Sequence, residues 1–81
     1  MNSDAAIDLA REYLAMRRYM EAMVVAKKRI KARPRDCESR LVLAQVYAAQ
    51  GKDDRAIEVL EKLLEISPDH EAAAALLKKL T

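Results

Sequence analysis

The sequence predicts an all-α protein built from repeated pairs of antiparallel helices. Its composition and an internal repeat both support this fold class. Hydrophobic residues make up 52% of the 81 positions, yet there is one Gly, there are two Pro, and Phe and Trp are missing. Such a composition favours helices over a sheet. A chain of this length forms one small domain, residues 1–81, which is too short for a deep catalytic cleft.

The repeat emerges when residues 3–36 (the first unit) are aligned without gaps on residues 37–70 (the second unit). Eight of the 34 aligned pairs are identical: Leu9 and Leu43, Ala10 and Ala44, Tyr13 and Tyr47, Ala15 and Ala49, Ala22 and Ala56, Val25 and Val59, Lys28 and Lys62, and Pro34 and Pro68. A repeated unit of this size buries its apolar side by stacking on its neighbours.

Each unit holds two helical patterns separated by a short break. The first helix of each unit has a stripe of apolar residues at helical spacing: Ala6, Leu9, Ala10 and Tyr13, then Leu43, Ala44 and Tyr47. The second helix repeats the pattern after the break: Ala22, Val25, Ala26 and Ile30, then Ala56, Val59, Leu60, Leu63 and Leu64. Small residues in both helices allow them to approach closely.

Single residues mark the ends of the predicted helices and the turns between them. Pro34 and Pro68 end the two hairpins, and Asp36 and Asp69 are the predicted N-caps of the helices that follow. Arg17 aligns with Gly51, at a turn where a positive φ is usual. We therefore expect Arg17 to carry strain on the order of 1 kcal/mol.

A fifth helix is predicted after the second unit, at about residues 70–80. Its expected apolar side is Ala74, Leu77 and Leu80, and its expected outward side is Glu71, Lys78 and Lys79. A stack of repeats needs such a helix to cover its last apolar face.

These spacings resemble the tetratricopeptide repeat. The family pattern of Trp, Leu-Gly, Tyr, Ala, Phe and Pro falls on Ala6, Leu9, Ala10, Tyr13, Ala22, Ala26 and Pro34, and again on Arg40, Leu43, Ala44, Tyr47, Ala56, Leu60 and Pro68. Trp is absent, Ala replaces Gly, and small or aliphatic residues replace Phe. The resemblance covers residues 3–70 and implies a right-handed superhelix, an α-solenoid of two hairpins and a capping helix.

The resemblance also implies a concave groove lined by the first helix of each unit and by the cap. Its expected residues are Ile7, Arg11, Leu14, Ala15, Leu41, Gln45, Ala48, Ala49, Ala75 and Lys79. Apolar anchors of a bound segment would fit Ile7, Leu14, Leu41 and Ala48, and Arg11 and Lys79 would attract acidic flanks. Alternatively, Ile7 and Leu41 pack against adjoining helices, which leaves Arg11, Gln45 and Lys79 open.

The best-known site of this family, the carboxylate clamp, binds the acidic C-terminal tails of heat-shock chaperones through Lys, Asn and Arg. The positions equivalent to the clamp residues are Ile7, Arg11, Val42, Ala72 and Leu76, and only Arg11 is polar. This chain is therefore not expected to bind chaperone tails in that way.

Residues 27–36 form a basic stretch with a candidate basic patch at Lys27, Lys28, Lys31, Arg33 and Arg35. The favoured interpretation is a solvated helix end, where cations suit the helix dipole. The alternatives are an acidic protein surface and, more weakly, nucleic acid, because the stretch has no aromatic side chain for base stacking.

Two features leave alternatives open. Arg29 aligns with Leu63, so either its stem reaches the surface or the first hairpin packs loosely there. Met16, Met20 and Met23 could line a promiscuous surface, but filling the core is favoured.

Catalysis, cofactors and metals are not expected. The single Cys37 and the single His70 lie at opposite ends of one repeat, and no cluster of metal-ligand residues is present. One cysteine, no basic leader and no apolar run of about 18 residues favour a cytoplasmic protein without a membrane span.

The expected function is non-enzymatic: an adaptor or scaffold that binds a peptide or helical segment of a partner protein, with or without acidic flanks. Self-association through the outer face of the first helix is the alternative, as is a place within a longer solenoid. Binding of nucleic acid or an acidic protein through residues 27–35 is a weaker alternative.

Overall fold

A computed structural model describes the backbone of residues 4–81 and the side chains from residue 7 onward. All regular secondary structure in this range is helical, in five helices: α1 (Asp4–Ala15), α2 (Tyr19–Ala32), α3 (Cys37–Ala49), α4 (Asp53–Ile66) and α5 (Glu71–Leu80). The all-α prediction with five helices is confirmed. Ala6, assigned above to an apolar stripe, lies outside the described side chains.

Helix α3 is the centre of the molecule. Consecutive helices pack on one another, and α3 also packs on α1 and on α5. Because α3 has neighbours on several sides, most of its circumference is buried, including Val42, Ala44 and Val46. Ala22 and Ala56 are fully buried in α2 and α4, as expected for helices that approach closely.

The turns inside the two hairpins are built alike. The N–H of Arg18 donates to the Tyr13 carbonyl at 2.8 Å, and the N–H of Lys52 donates to the Tyr47 carbonyl at the same distance. Between the helices lie Arg17 (φ 62°) and Gly51 (φ 77°), both in the left-handed region. This is the Schellman arrangement, in which glycine is the usual residue. The positive φ expected for Arg17 is confirmed.

The joints between hairpins differ in their capping residue. Asp36 caps α3 as predicted, because its Oδ1 accepts the Ser39 N–H at 3.3 Å. The prediction for Asp69 is wrong: His70 caps α5, and its Nδ1 accepts the Ala73 N–H at 3.1 Å. His70 is the residue that aligns with Asp36, and the Asp69 carboxylate instead accepts the Ser67 hydroxyl at 3.3 Å.

The Arg29 side chain neither reaches the surface nor leaves the first hairpin loosely packed, so both interpretations given above are wrong. Its Nε donates to Asp36 Oδ2 at 2.7 Å, and both side chains are only 15% exposed. The guanidinium is therefore held inside the joint by the carboxylate that caps the next helix.

Three expectations about burial fail at the ends of the stack. Leu9 is 42% exposed although its counterpart Leu43 is 7% exposed, because no described helix covers α1 as α2 covers α3. Met16 and Met20 are exposed rather than core residues, whereas Met23 packs against the core. In α5, Ala74 is exposed and the inner side is instead formed by Ala73, Leu76, Leu77 and Leu80.

Candidate interaction surfaces

A polar bridge joins the first helices of the stack. Arg11 of α1 contacts Glu38 of α3 at 2.5 Å and Asp8 at 3.6 Å. The other oxygen of Glu38 lies 3.4 Å from Nε2 of His70, at the start of α5. These contacts identify the side of the molecule on which α1, α3 and α5 adjoin.

The predicted groove residues of α1 and α3 continue along that side. Helical spacing places Leu14 and Ala15 on the face of Arg11, and places Gln45 and Ala49 on the face of Glu38. We call the accessible members of the set the groove strip. Five of them are exposed and three are half-buried: Arg11, Ala15, Ala49, Ala75 and Lys79, then Leu14, Gln45 and Ala48.

Two predicted anchors lie beneath this strip. Ile7 is 6% exposed and Leu41 is 9% exposed, so both side chains pack inside the protein, as in the second interpretation above. The charge of Arg11 is matched by Asp8 and Glu38. Four alanines, Ala15, Ala48, Ala49 and Ala75, therefore make up half of the groove strip, and Leu14 is its only large apolar side chain.

A cavity of about 810 Å³ opens where α1, the end of α2 and the start of α3 meet. We call it the arginine cavity because four arginines from three segments line it. Its lining residues are Ile7, Asp8, Arg11, Arg29, Arg33, Pro34, Arg35, Asp36 and Glu38.

The cavity divides the predicted basic patch. Arg33 and Arg35 line it, whereas Lys28 and Lys31 are exposed elsewhere on α2. Lys27 lies with its Nζ 5.9 Å from the centre of the Tyr47 ring, a cation–π contact on the side of α3 that meets α2. The stretch that looks continuous in sequence therefore serves at least two surfaces.

Two of the four arginines are matched by carboxylates. Burial raises the pKa of Asp36, but the hydrogen bond from Arg29, the Ser39 N–H and the positive charge of Arg29 outweigh it, and the pKa is lowered below 3.8. Arg11 is paired with Asp8 and Glu38. Within residues 7–81, no carboxylate forms an ion pair with Arg33 or Arg35.

Both helices of the first hairpin carry exposed apolar side chains. These are Leu9 and Met16 of α1 and its following turn, and Met20 and Val24 of α2, all of them more than 40% exposed, and we call them together the outer face. A shallow cavity of about 310 Å³ beside it is lined by Tyr13, Met20, Glu21, Val24 and Val25. In the second unit, Asp54 and Glu58 align with Met20 and Val24, and both are exposed. The contrast between apolar Val24 and acidic Glu58 at equivalent positions is the sequence signal that indicates this surface.

Other kinds of site find no support in the part of the chain that the structure describes. No group of three metal-ligand side chains comes together there. None of the described helices has both the length and the apolar character needed to cross a membrane. Cys37 has a free thiol and is half-buried.

Two stacked helical hairpins and a fifth helix in a 34-residue register define a helical-repeat solenoid. The sequence model of the tetratricopeptide repeat family matches residues 13–80, and the chain belongs to that family. A search of curated proteins gives no significant match. Domains of this family are generally modules for protein–protein interaction.

Proposed function

We propose that this chain is a non-enzymatic adaptor module whose groove strip binds a peptide or helical segment of a partner protein. The observation that carries the proposal is the adjoining of α1, α3 and α5 through Arg11, Glu38 and His70. Beside that bridge, small side chains leave room for the side chains of a bound segment. Membership of a family of interaction modules supports the same conclusion.

The experiment fills the groove strip without touching the core. In Ala15→Gln/Ala49→Gln, two exposed alanines of the strip gain neutral side chains that helices tolerate. The matched control, Ala32→Gln/Ala74→Gln, makes the same change at two exposed alanines outside the strip. Partner proteins are captured from a lysate of the source cells and compared by mass spectrometry.

We expect the control to capture the same partners as the wild type and the groove variant to lose them. Both variants should keep the helical circular dichroism of the wild type. Identical capture by the wild type and a folded groove variant would refute binding at this strip.

Self-association is a second candidate, and the outer face favours it. Exposed apolar side chains grouped on one face commonly mark an interaction site. A second copy suits this face because Arg18 and Glu21, which form an ion pair at 2.8 Å, lie beside it. In a two-fold arrangement, each copy could offer its arginine to the glutamate of the other.

Replacing Met20 and Val24 by the residues of the second unit tests this candidate. Met20→Asp/Val24→Glu should keep the fold, since both positions are exposed, and should sediment as a monomer where the wild type dimerises. The control Ala32→Asp/Ala74→Glu adds the same charges elsewhere. Self-association is rejected if the wild type remains monomeric at millimolar concentration. The next candidate to cover the outer face would then be a preceding helix pair in a longer solenoid.

A further inference from the structure

The arginine cavity contains two positive charges that no described carboxylate neutralises within residues 7–81. Arg11 and Arg29 are engaged by carboxylates, whereas Arg33 and Arg35 have no ionic partner among the described side chains. Both of these arginines line the same cavity of about 810 Å³. Excess positive charge in a concave surface attracts an anionic group.

The backbone that carries these two arginines is firmly held. The Arg33 N–H donates to the Arg29 carbonyl at 2.8 Å, and the Asp36 N–H donates to the Arg33 carbonyl at 3.0 Å. Between them, the Pro34 carbonyl accepts from Nε and Nη2 of Arg40 at 3.1 and 2.6 Å. Since the turn is already ordered, a ligand need order only the side chains of Arg33 and Arg35.

We propose that the arginine cavity binds a single carboxylate side chain in a segment of the partner protein, with Arg33 and Arg35 as the donors. A guanidinium offers two parallel N–H groups that match the two oxygens of a carboxylate. The inference rests on the proposed interaction function, to which it adds the chemistry of the partner. It uses a different set of residues from the carboxylate clamp of the family, whose slots share only Ile7 and Arg11 with this cavity.

The lining favours an isolated acidic residue over a nucleic-acid backbone. Asp8, Asp36 and Glu38 face the same cavity, so a run of phosphates would meet like charges beside Arg33 and Arg35. No aromatic side chain lines the cavity within the described residues, so bases would have no stacking platform there.

The test compares three labelled probes by fluorescence anisotropy. One peptide of about ten residues carries a single Glu among Ala and Gln residues, a second replaces that Glu by Gln, and an oligothymidine of similar length supplies phosphates. The variant is Arg33→Gln/Arg35→Gln. Its control is Lys28→Gln/Lys31→Gln, which removes the same charge from the same end of α2 but outside the cavity.

We expect the glutamate peptide to bind the wild type and the lysine control equally. The arginine variant should bind it about tenfold more weakly or worse, because two charge-assisted contacts are lost. The glutamine peptide should bind no better to the wild type than to the arginine variant.

Three results would overturn the inference: no binding of the glutamate peptide, equal losses in the two variants, or tighter binding of oligothymidine. Partner capture then separates the two proposals. Capture that needs Ala15 and Ala49 but not Arg33 and Arg35 leaves the groove intact as a site and rejects the cavity. Capture that is insensitive to both pairs rejects both.

Discussion

Arg17 occupies a backbone conformation that suits glycine, and its partner in the alignment shows what the position requires. Both residues have positive φ and the same hydrogen bonds in the turn. A left-handed conformation costs an ordinary L-residue roughly 1–2 kcal/mol. Glycine avoids that cost, although it gains entropy in the unfolded chain.

We therefore predict that Arg17→Gly leaves the free energy of unfolding unchanged or raises it by up to about 1 kcal/mol. Gly51→Ala should lower it by about 1 kcal/mol, purely through strain, since a Cβ there meets no atom within 4 Å. Urea denaturation measures both, with Arg17→Ala as the control for the lost charge. A clear loss of stability in Arg17→Gly beyond that of Arg17→Ala would contradict the shared turn geometry.

The ionisation of Asp36, which lies between the two hairpins, makes the stability of the fold depend on pH. Because its pKa in the folded protein is lowered below the ordinary 3.8, the unfolded chain takes up the proton more readily. The charged carboxylate thus stabilises the fold fully above pH 3.8, and that contribution is lost as the pH falls through the folded pKa.

Asp36→Asn should cost about 1–2 kcal/mol at neutral pH, because Arg29 loses a charged partner while a capping oxygen remains. The difference in unfolding free energy between wild type and variant should shrink as the pH falls below 3.8. Urea denaturation across this range measures it. A difference that stays constant with pH would show that the Asp36 charge contributes nothing to stability.

Residue-level predictions succeeded where local chemistry decides the outcome. Arg17 follows from its alignment with Gly51, and the cap at Asp36 follows from its place after Pro34. The pairing of Arg29 with Asp36 spans seven residues across a joint, and no helical spacing indicates it. Residue type favours Asp69 as the cap of α5, because Asp is a commoner capping residue than His, whereas the 34-residue offset from Asp36 correctly indicates His70.

At the scale of helices, periodicity identified every element but could not tell which faces have neighbours. Leu9 and Leu43 occupy equivalent positions, yet only Leu43 is covered. The exposed methionines have the same cause: a sequence pattern records an apolar face, not the presence of a helix that packs on it. Errors therefore concentrate on the outer face and on α5, the two ends of the stack.

Matched truncations measure this asymmetry. Leu43→Ala should lower the free energy of unfolding by roughly 2–4 kcal/mol, since it leaves a cavity in the core. Leu9→Ala should cost less than about 1 kcal/mol in the monomer, because its side chain is already 42% exposed. Urea denaturation at low protein concentration compares the two. Equal costs would mean that Leu9 is covered in solution.

For the whole molecule, the three surfaces have different chemical characters. The groove strip is rich in alanine and nearly neutral, and the outer face is apolar. The arginine cavity holds two cations, Arg33 and Arg35, that have no ionic partner within residues 7–81. The fold and the repeat register could be predicted because each unit carries its own pattern. The arginine cavity could not be predicted from the sequence, because α1 comes close to the turn between α2 and α3 only when the helices pack together.

Photo-cross-linking from the groove strip tests the central claim most directly. A benzophenone amino acid is placed at Ala49, and in a parallel protein at Ala74, which is equally exposed but lies outside the strip. After irradiation with the partner proteins present, we predict cross-linked partner from position 49 and none from position 74. Cross-linking from 74 alone, or equally from both positions, would contradict binding in the groove.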